Sequence, residues 1–456
     1  MNNLLKGCIV SLLFTILVLG SDHLITKEFS VFNSGLFFLF TLYVTLFFRP
    51  YQLIYLLLIL FGAIHYLFFS YFQRSVTSTD IYLFFTHTEE TFESFYSLYP
   101  LFILAFSLTI LALLFLWKLK KITIESYALK VWIKYPILLL LAVFSLNSSM
   151  GMQFVDAVSK LSFEKPKRLI IKESPLYPRR EANFNIVLLL GESMKYNAYV
   201  ESKLKAQNFF YKKIYSGATN TDVAIPLLLN TKTNTLELSH KNETNLFRLA
   251  KKNYFTNTFV SVQSEKSLKY IKPYLQTEHI DYYKSHTTEE QKPNFDLLLL
   301  NTLRKTDFSK NNFIVFQQIG QHSPYMYFKA EPSQDPAENY NRSVDYSFRL
   351  YEQIHKELIA IQKPFIFIYV SDHGEFTGEN GRYGHNSFDS VIYEVPMFIT
   401  SNIDLPKAYK GIRSQHHLSQ FITYLLGYKK QLELSKEKSI VNGTMLSRED
   451  GFISIE

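Results

Sequence analysis

Several apolar runs in the C-terminal half of the chain end in polar side chains that could carry out metal or acid–base chemistry. Carboxylate and imidazole groups together suit Zn²⁺, which accepts oxygen and nitrogen ligands in a tetrahedral site. A metal site is therefore predicted if these clusters meet in space. The clusters are Glu192 and Ser193 after FNIVLLLG; Gln321, His322 and Ser323 after NNFIVFQQIG; Asp372 and His373 after PFIFIYVS, with His385 a loop away; and Thr219 and Thr221 in IYSGATNTDVAIPLLLN.

Each cluster also has an explanation that involves no chemistry. An acid such as Glu192 after a strand is favoured at a helix N-terminus by the helix dipole, and threonines such as Thr219 often cap helices. Asp372 and Gly374 are residue types that favour turns. A single histidine such as His322 is more often a surface or core residue. The chemical interpretation therefore depends on a fold that brings the clusters together.

The order of elements in residues 183–456 predicts such a fold. The apolar runs are continuous rather than alternating, as expected for strands that are covered on both faces. Helical patterns such as NLFRLAKKN and YSFRLYEQIHKELIAI lie between them. Alternating strands and helices predict a doubly wound α/β domain. Because ligands bind outside the carboxyl ends of the strands in such sheets, the four clusters are expected to meet.

Residues 1–149 have a different composition. They contain five apolar segments of about 17 to 22 residues each, the length that crosses a hydrocarbon layer of about 30 Å. No small-residue cleavage site follows them, so a removable signal peptide is not expected. We predict five transmembrane helices, the alternative being buried helices of a soluble core. Residues 150–182 mix charge and proline and are predicted to form a linker.

Basic residues in the short loops predict the orientation of these helices. Lys6, Arg49 and a group of five lysines within residues 118–134 fall on one side. This side is expected to be the cytoplasm, so that the domain after residue 149 lies outside, in the periplasm of a Gram-negative cell. The net charge of +8 then fits a solvated surface or anionic lipid headgroups better than nucleic acid. The only cysteine is Cys8, so the exported part is expected to contain no disulfide.

Taken together, these segments resemble the phosphoethanolamine transferases of the alkaline phosphatase and sulfatase superfamily, over essentially the whole chain. GESMKYNAY is similar to that family's first metal motif, SGATNTDVAIPLLL to its nucleophile segment, and QHSPY and SDHGEFTGENGRYGH to its later motifs. The resemblance implies that Glu192, Thr219, Asp372 and His373 bind one zinc ion, and that Thr219 is also the nucleophile. Thr221 remains an alternative to Thr219.

The resemblance also implies a second group of residues. His322 and His385 are expected to bind the phosphate or a second zinc ion, while Glu379 and Asn380 shape the loop beside them. The zinc ligands implied by the family are all present, which argues against a catalytically inactive membrane regulator.

The chain departs from the family pattern at places that concern the acceptor more than the metal. In SQHHL, Gln415 stands where the family often has a histidine, with His416 beside it, and Lys195 replaces the usual arginine. The disulfides of many relatives are absent.

The implied function is zinc-dependent transfer of phosphoethanolamine from phosphatidylethanolamine to an envelope glycolipid such as lipid A or lipooligosaccharide. A phosphoethanolamine-threonine intermediate is expected, in an inner-membrane protein whose catalytic domain is periplasmic. Transfer of phosphoglycerol from phosphatidylglycerol uses the same chemistry and remains an alternative. A sulfatase activity is not expected, because the exported part has no cysteine and no C/S-x-P-x-R segment.

Overall fold

The structure is a computed structural model of the chain. It describes residues 3–26, 31–47, 180–207, 209–231, 244–263, 267–285, 296–323, 335–428, 438–444 and 451–456, with a few isolated positions between these ranges. The chain forms two compact units, one of residues 1–165 with 379–382 and the other of residues 166–378 with 383–456.

The first unit contains helices α1 (Asn3–Thr26) and α2 (Val31–Phe47). Buried hydroxyl pairs connect them, with 3.1 Å between Ser11 and Thr45 and 3.3 Å between Thr15 and Thr41. The first two of the five predicted helices are therefore helical. The other three predicted segments lie outside the described residues, apart from single positions.

Among the residues that the structure describes, no helix combines the length and apolar character needed to cross a membrane.

The second unit is an α/β domain whose strands form one large sheet and two small ones. The strands are β1 (Asn185–Gly191), β2 (Phe210–Tyr215), β3 (Thr256–Ser261), β4 (Tyr282–Ser285), β5 (Asn312–Gln317), β6 (Phe365–Ser371), β7 (Phe376–Thr377), β8 (Tyr383–Gly384), β9 (Glu394–Ser401), β10 (Ser439–Asn442) and β11 (Phe452–Ile455).

The helices of this unit lie between the strands. They are α3 (Ala198–Ala206), α4 (Thr221–Leu229), α5 (Leu246–Lys252), α6 (Lys272–Leu275), α7 (Leu297–Lys305), α8 (Pro336–Ala360), α9 (Ser390–Tyr393) and α10 (Gln415–Leu425). Short 3₁₀ turns cover Ser267–Lys269, Thr277–His279, Glu379–Gly381 and Lys407–Gly411.

The large sheet has the strand order β2-β9-β6-β1-β5-β3-β4. The five strands from β6 to β4 are parallel to one another, while β9 runs antiparallel to both of its neighbours, β6 and β2. The predicted α/β domain is confirmed, and the apolar runs FNIVLLLG, NNFIVFQQIG and PFIFIYVS correspond to β1, β5 and β6. The antiparallel β9 is the departure from an all-parallel sheet.

Both faces of the sheet are covered, which explains why the strands read as continuous apolar runs. Along β1, Ile186, Leu188 and Leu190 belong to one hydrophobic core, and Val187 and Leu189 belong to the core on the opposite face. Buried residues of α10 pack in the first core and those of α8 in the second.

The start of helix α8 is determined by its local sequence. It begins at Pro336, whose fixed φ suits the first helical position, and the side chain of Asp335 caps it by accepting a hydrogen bond from Ala337 N at 3.0 Å.

The register of the central strands brings their carboxyl ends to one place. Gly191 at the end of β1 pairs with Ser371 at the end of β6, and Asp372 N donates to Gly191 O at 3.1 Å. On the other side of β1, Leu190 pairs with Gln317, and Gln321 N donates to Glu192 O at 3.1 Å. The residues that follow these three strands are therefore neighbours.

Candidate active site

Glu192, Asp372 and His373 form a buried cluster at this edge of the sheet. One potential ligand atom from each lies within 4.8 Å of the others. Glu192 follows β1 directly, and Asp372 and His373 follow β6, so adjacent strands supply all three side chains. The rule that ligands bind beyond the carboxyl ends of strands thus located these residues correctly in space.

Ser193 fixes the orientation of both carboxylates. Its N donates to Asp372 Oδ1 at 3.0 Å, and its Oγ donates to Glu192 Oε1 at 3.0 Å. Its φ is +56°, a left-handed conformation that is strained for a residue with a side chain. Tyr340 OH binds Ser193 O at 3.1 Å and stabilises this turn.

Thr221 is the threonine whose hydroxyl meets the cluster. Its Oγ1 lies 2.6 Å from Asp372 Oδ2, 3.2 Å from each carboxylate oxygen of Glu192 and 3.2 Å from His373 Nε2. Thr221 is the first residue of α4, where the partial positive charge of the helix end favours negative charge on a bound oxygen.

Thr219 occupies a different environment. Its Oγ1 is buried and makes no hydrogen bond to any residue that the structure describes. Its main chain is held instead: Thr219 N donates to Asn442 O at 3.0 Å, and Thr219 O accepts from Asn386 N at 3.4 Å. The geometry therefore favours Thr221, the alternative of the sequence analysis, over Thr219 as the reactive hydroxyl.

The ring of His373 presents a lone pair to the cluster. Its Nδ1 lies 2.9 Å from Gly374 O, and because a carbonyl oxygen can only accept, Nδ1 carries the hydrogen. In the neutral ring, Nε2 is then the nitrogen without a hydrogen, and it lies 3.5 Å from Asp372 Oδ2 and 3.7 Å from Glu192 Oε1. A backbone carbonyl that fixes the tautomer in this way is typical of metal-binding histidines.

The charge of the cluster also calls for a cation. Burial and the neighbouring Asp372 raise the pKa of Glu192 well above its ordinary value, against the opposing effect of His373. Two buried carboxylates in contact are costly unless a positive charge compensates them. Gln263 Nε2 donates to Glu192 Oε2 at 2.7 Å, but an amide adds no charge.

The separations fit a metal ion with four ligands. A tetrahedral zinc site with bonds of about 2.0–2.2 Å has about 3.3–3.6 Å between its ligand atoms. The separations between Thr221, Glu192, Asp372 and His373 that are given above range from 2.6 to 3.7 Å. These four side chains could therefore hold a divalent cation with little rearrangement.

A second group of titratable side chains lies beside this cluster. The rings of His385 and His373 are 4.4 Å apart between centroids, and His385 Nδ1 lies 4.0 Å from Glu375 Oε1. Burial and the nearby rings of His373 and His322 lower the pKa of His385 well below its ordinary value. Since His322 interacts electrostatically with Glu375 and His385, both predicted histidines belong to this group.

Glu375 was part of the motif that the sequence analysis quoted, but no role was assigned to it. Burial raises the pKa of Glu375 to about 7, although His322, Tyr325 and Lys195 oppose the shift. Lys195 is also buried, with its Nζ 2.6 Å from Thr377 Oγ1 and 4.6 Å from the centre of the Tyr340 ring.

Glu379 and Asn380 lie in the 3₁₀ turn Glu379–Gly381. Glu379 is half-buried, and Asn380 is exposed with a φ of +53°. Their supporting role stays a prediction.

Two neutral amides near the cluster were not predicted as site residues. Gln263 contacts Glu192, and Gln415 contacts the main chain of Asp372. Gln263 could have been predicted from the sequence by the same rule, because it stands two residues after the end of β3 and therefore at the same edge of the sheet. Gln415 begins α10 and was noted in the sequence analysis only because it stands where the family often has a histidine; the local sequence did not indicate its contact with Asp372.

Comparison with known proteins agrees with the fold. Residues 183–428, more than half of the chain, match the Sulfatase family. The chain belongs to this family. The phosphoethanolamine transferase EptA of Helicobacter pylori is 25% identical over an alignment 332 residues long. The alignment covers 62% of this chain and 62% of that protein, so the match spans less than two thirds of the relative's length.

One solved structure has a similar fold over most of the chain. The integral membrane lipooligosaccharide phosphoethanolamine transferase A (EptA) of Neisseria meningitidis superimposes with a TM-score of 0.62. The superposition covers 92% of this chain and 95% of that one, at 16% identity.

Proposed function

We propose that this chain is a phosphoethanolamine transferase that moves the headgroup of phosphatidylethanolamine onto an envelope glycolipid, such as lipid A or lipooligosaccharide. The observation that carries the proposal is the hydroxyl of Thr221 set among Glu192, Asp372 and His373 at the start of a helix. The sulfatase-family domain and the similarity to the EptA of H. pylori support the class of reaction.

The resident metal is proposed to be zinc. Glu192, Asp372, His373 and Thr221 would hold it, because their donor atoms are two carboxylates, an unprotonated imidazole nitrogen and a hydroxyl. When bound, zinc lowers the pKa of a coordinated hydroxyl and offsets negative charge on phosphoryl oxygens.

In the first step, Thr221 Oγ1 forms a bond to the phosphorus of the donor lipid. The bond between phosphorus and the diacylglycerol oxygen breaks, and that oxygen keeps the electron pair. Asp372 Oδ2, at 2.6 Å, accepts the hydrogen bond of the Thr221 hydroxyl, so the proton leaves toward the carboxylate and ends on the released diacylglycerol. The product is phosphoethanolamine bound to Thr221.

In the second step, an oxygen of the acceptor bonds to phosphorus and the bond to Thr221 Oγ1 breaks. The proton of the acceptor hydroxyl returns to Oγ1, which restores the enzyme. His322 and His385 are proposed to bind the phosphoryl oxygens or a second zinc ion, with Glu375 between them in the same group. Fixed donors that face the developing charge stabilise such a transition state.

A lipid donor would explain why an apolar N-terminal part accompanies the catalytic domain. We propose that the five apolar segments of residues 1–149 anchor the protein in the inner membrane, with the catalytic domain in the periplasm. The active site then works on headgroups at the membrane surface.

The test uses the purified full chain in vesicles of phosphatidylethanolamine labelled in the headgroup, with no acceptor present. We expect label to accumulate on the chain, and peptide mass spectrometry should find phosphoethanolamine on Thr221. Vesicles of labelled phosphatidylglycerol form the second arm. Label from phosphatidylglycerol alone would replace the proposed donor, and no covalent label from either lipid would overturn the proposed reaction.

A further inference from the structure

Gln415 connects the two segments that carry the candidate metal ligands. It is the first residue of α10 and is fully buried. Its Nε2 donates to Ser371 O at 2.8 Å and to Asp372 O at 2.9 Å, and its Oε1 accepts from Gly217 N at 2.8 Å. One side-chain amide therefore binds the main chain at three points.

These points belong to separate parts of the chain. Ser371 ends β6, and the candidate ligands Asp372 and His373 follow it directly. Gly217 lies in the segment between β2 and α4 that leads to Thr221. The amide of Gln415 therefore connects the segment that carries Asp372 directly to the segment that leads to Thr221.

The Gly217 segment is held from both sides. Gln415 binds Gly217 N, while Asn442 binds Gly217 O through its Nδ2 at 2.7 Å and its N at 2.9 Å. Both polar main-chain atoms of Gly217 are thus paired in a buried setting. Such pairing is strongly directional, so the position of the segment follows the position of the Gln415 amide.

The three contacts require a carboxamide on a side chain of this length. Glutamate could accept from Gly217 N but has no N–H groups for the two carbonyls, and methionine offers none of these groups. Loss of the amide leaves buried main-chain groups without this partner, which is unfavourable because buried polar groups are normally hydrogen-bonded.

We infer that Gln415 is a positioning residue that sets the Thr221 hydroxyl against the carboxylate of Asp372. It touches neither reactant. Its effect on transfer rests on the proposed reaction, whereas its effect on metal affinity rests only on the proposed zinc site.

The test compares Gln415→Met and Gln415→Glu with a matched control. Asn253 is also a buried amide whose Nδ2 donates to two main-chain carbonyls, those of Arg180 at 3.2 Å and Leu426 at 2.8 Å. It has no hydrogen bond to the candidate ligands. The full chain is titrated with zinc against a competing chelator, its melting temperature is recorded, and kcat and KM are measured for the donor lipid.

We expect both Gln415 variants to bind zinc about 10- to 100-fold more weakly, as found when groups that orient metal ligands are removed. Their kcat should fall by a larger factor than KM changes. Asn253→Leu should lower the melting temperature but keep zinc affinity within about twofold of the original chain. If Gln415→Met fails to fold, Gln415→Glu carries the comparison, because it keeps the volume and the acceptor for Gly217 N.

Unchanged zinc affinity in a folded Gln415 variant would overturn the inference, as would an equal loss of affinity in Asn253→Leu. If the original chain transfers no phosphoethanolamine but the Gln415 variants still bind zinc weakly, the proposed function fails and the positioning role stands.

Discussion

Thr221 Oγ1 and Asp372 Oδ2 are 2.6 Å apart, although 151 residues separate them in the sequence. The contact follows from the sheet. Asp372 lies beside Glu192 because β6 pairs with β1, and Thr221 lies at the start of α4, after the segment that follows β2. The proposed nucleophile and the candidate metal ligands are therefore placed by the ends of secondary-structure elements rather than by one continuous motif.

The two threonines should respond very differently to substitution by valine, which has nearly the same shape. Thr221→Val removes the hydroxyl that contacts the cluster and should reduce phosphoethanolamine transfer by at least about 10³-fold. Thr219→Val removes a buried hydroxyl that has no hydrogen bond within the described residues, so activity should stay within about threefold and stability should not fall. Headgroup transfer and thermal unfolding of both variants provide the measurement, and the opposite ranking would restore Thr219 as the nucleophile.

Zinc should stabilise the folded chain through the buried carboxylates. At a free zinc concentration about 100 times Kd, binding contributes about 2.7 kcal/mol, which corresponds to a rise in Tm on the order of 5–10 °C. Calorimetry with added zinc and with chelator measures the shift. Asp372→Asn should abolish it, whereas Asp345→Asn, which removes a carboxylate paired with Lys203, should leave it intact. If zinc raised the Tm of Asp372→Asn as much as that of the original chain, the ion would bind at a site that does not include Asp372.

Gln263 should tune the affinity of the metal site through Glu192. Its Nε2 donates to Glu192 Oε2 at 2.7 Å, and Gln263→Leu should weaken zinc binding about 10- to 100-fold. Gln207 offers a control, since its Nε2 donates to Glu352 Oε1 at 2.8 Å in a pair that is not part of the cluster. A competition titration in which Gln207→Leu and Gln263→Leu behave alike would show that the contact with Glu192 has no special effect.

Asp296 should make stability depend on pH. Burial raises the pKa of Asp296 from 3.8 to about 6, even though Ile319 N, Gly320 N and Gln318 Nε2 donate to it. The folded state therefore holds this proton more tightly than the unfolded state. Stability from this group is greatest below pH 3.8 and falls as pH rises to about 6, by about 3 kcal/mol in all.

Asp296→Asn tests this dependence, because it removes the titrating group and leaves the other carboxylates in place. The difference in free energy of unfolding between the variant and the original chain should change by about 2.4 kcal/mol between pH 4 and pH 7, in favour of the variant at pH 7. Urea unfolding at several pH values measures it. Parallel pH profiles would show that Asp296 does not titrate in this range.

The sequence predicted the sheet and most of the cluster for a clear physical reason. Runs such as FNIVLLLG and PFIFIYVS are apolar at every position because both faces of their strands are covered, and polar residues that directly follow them must lie at one edge. Glu192, Asp372 and His373 could be located by this argument.

The same argument could not choose between Thr219 and Thr221. The choice depends on where α4 begins, and both residues precede an apolar run. Gln263 and Gln415 were missed because the role of a neutral amide depends on which distant main-chain or carboxylate groups it meets. That information lies in the register between segments and not in any local pattern.

The hydrogen bond from His373 Nδ1 to Gly374 O, together with the contacts of Ser193, orients the ligand atoms by means of the protein alone. The two hydrophobic cores that support them do not involve the ion. We therefore expect this domain to fold without its metal, in contrast to zinc fingers, which are unfolded without theirs. Under the proposed function, the exported chain would complete its fold first and bind zinc afterwards, so a dilute pool of zinc would be sufficient.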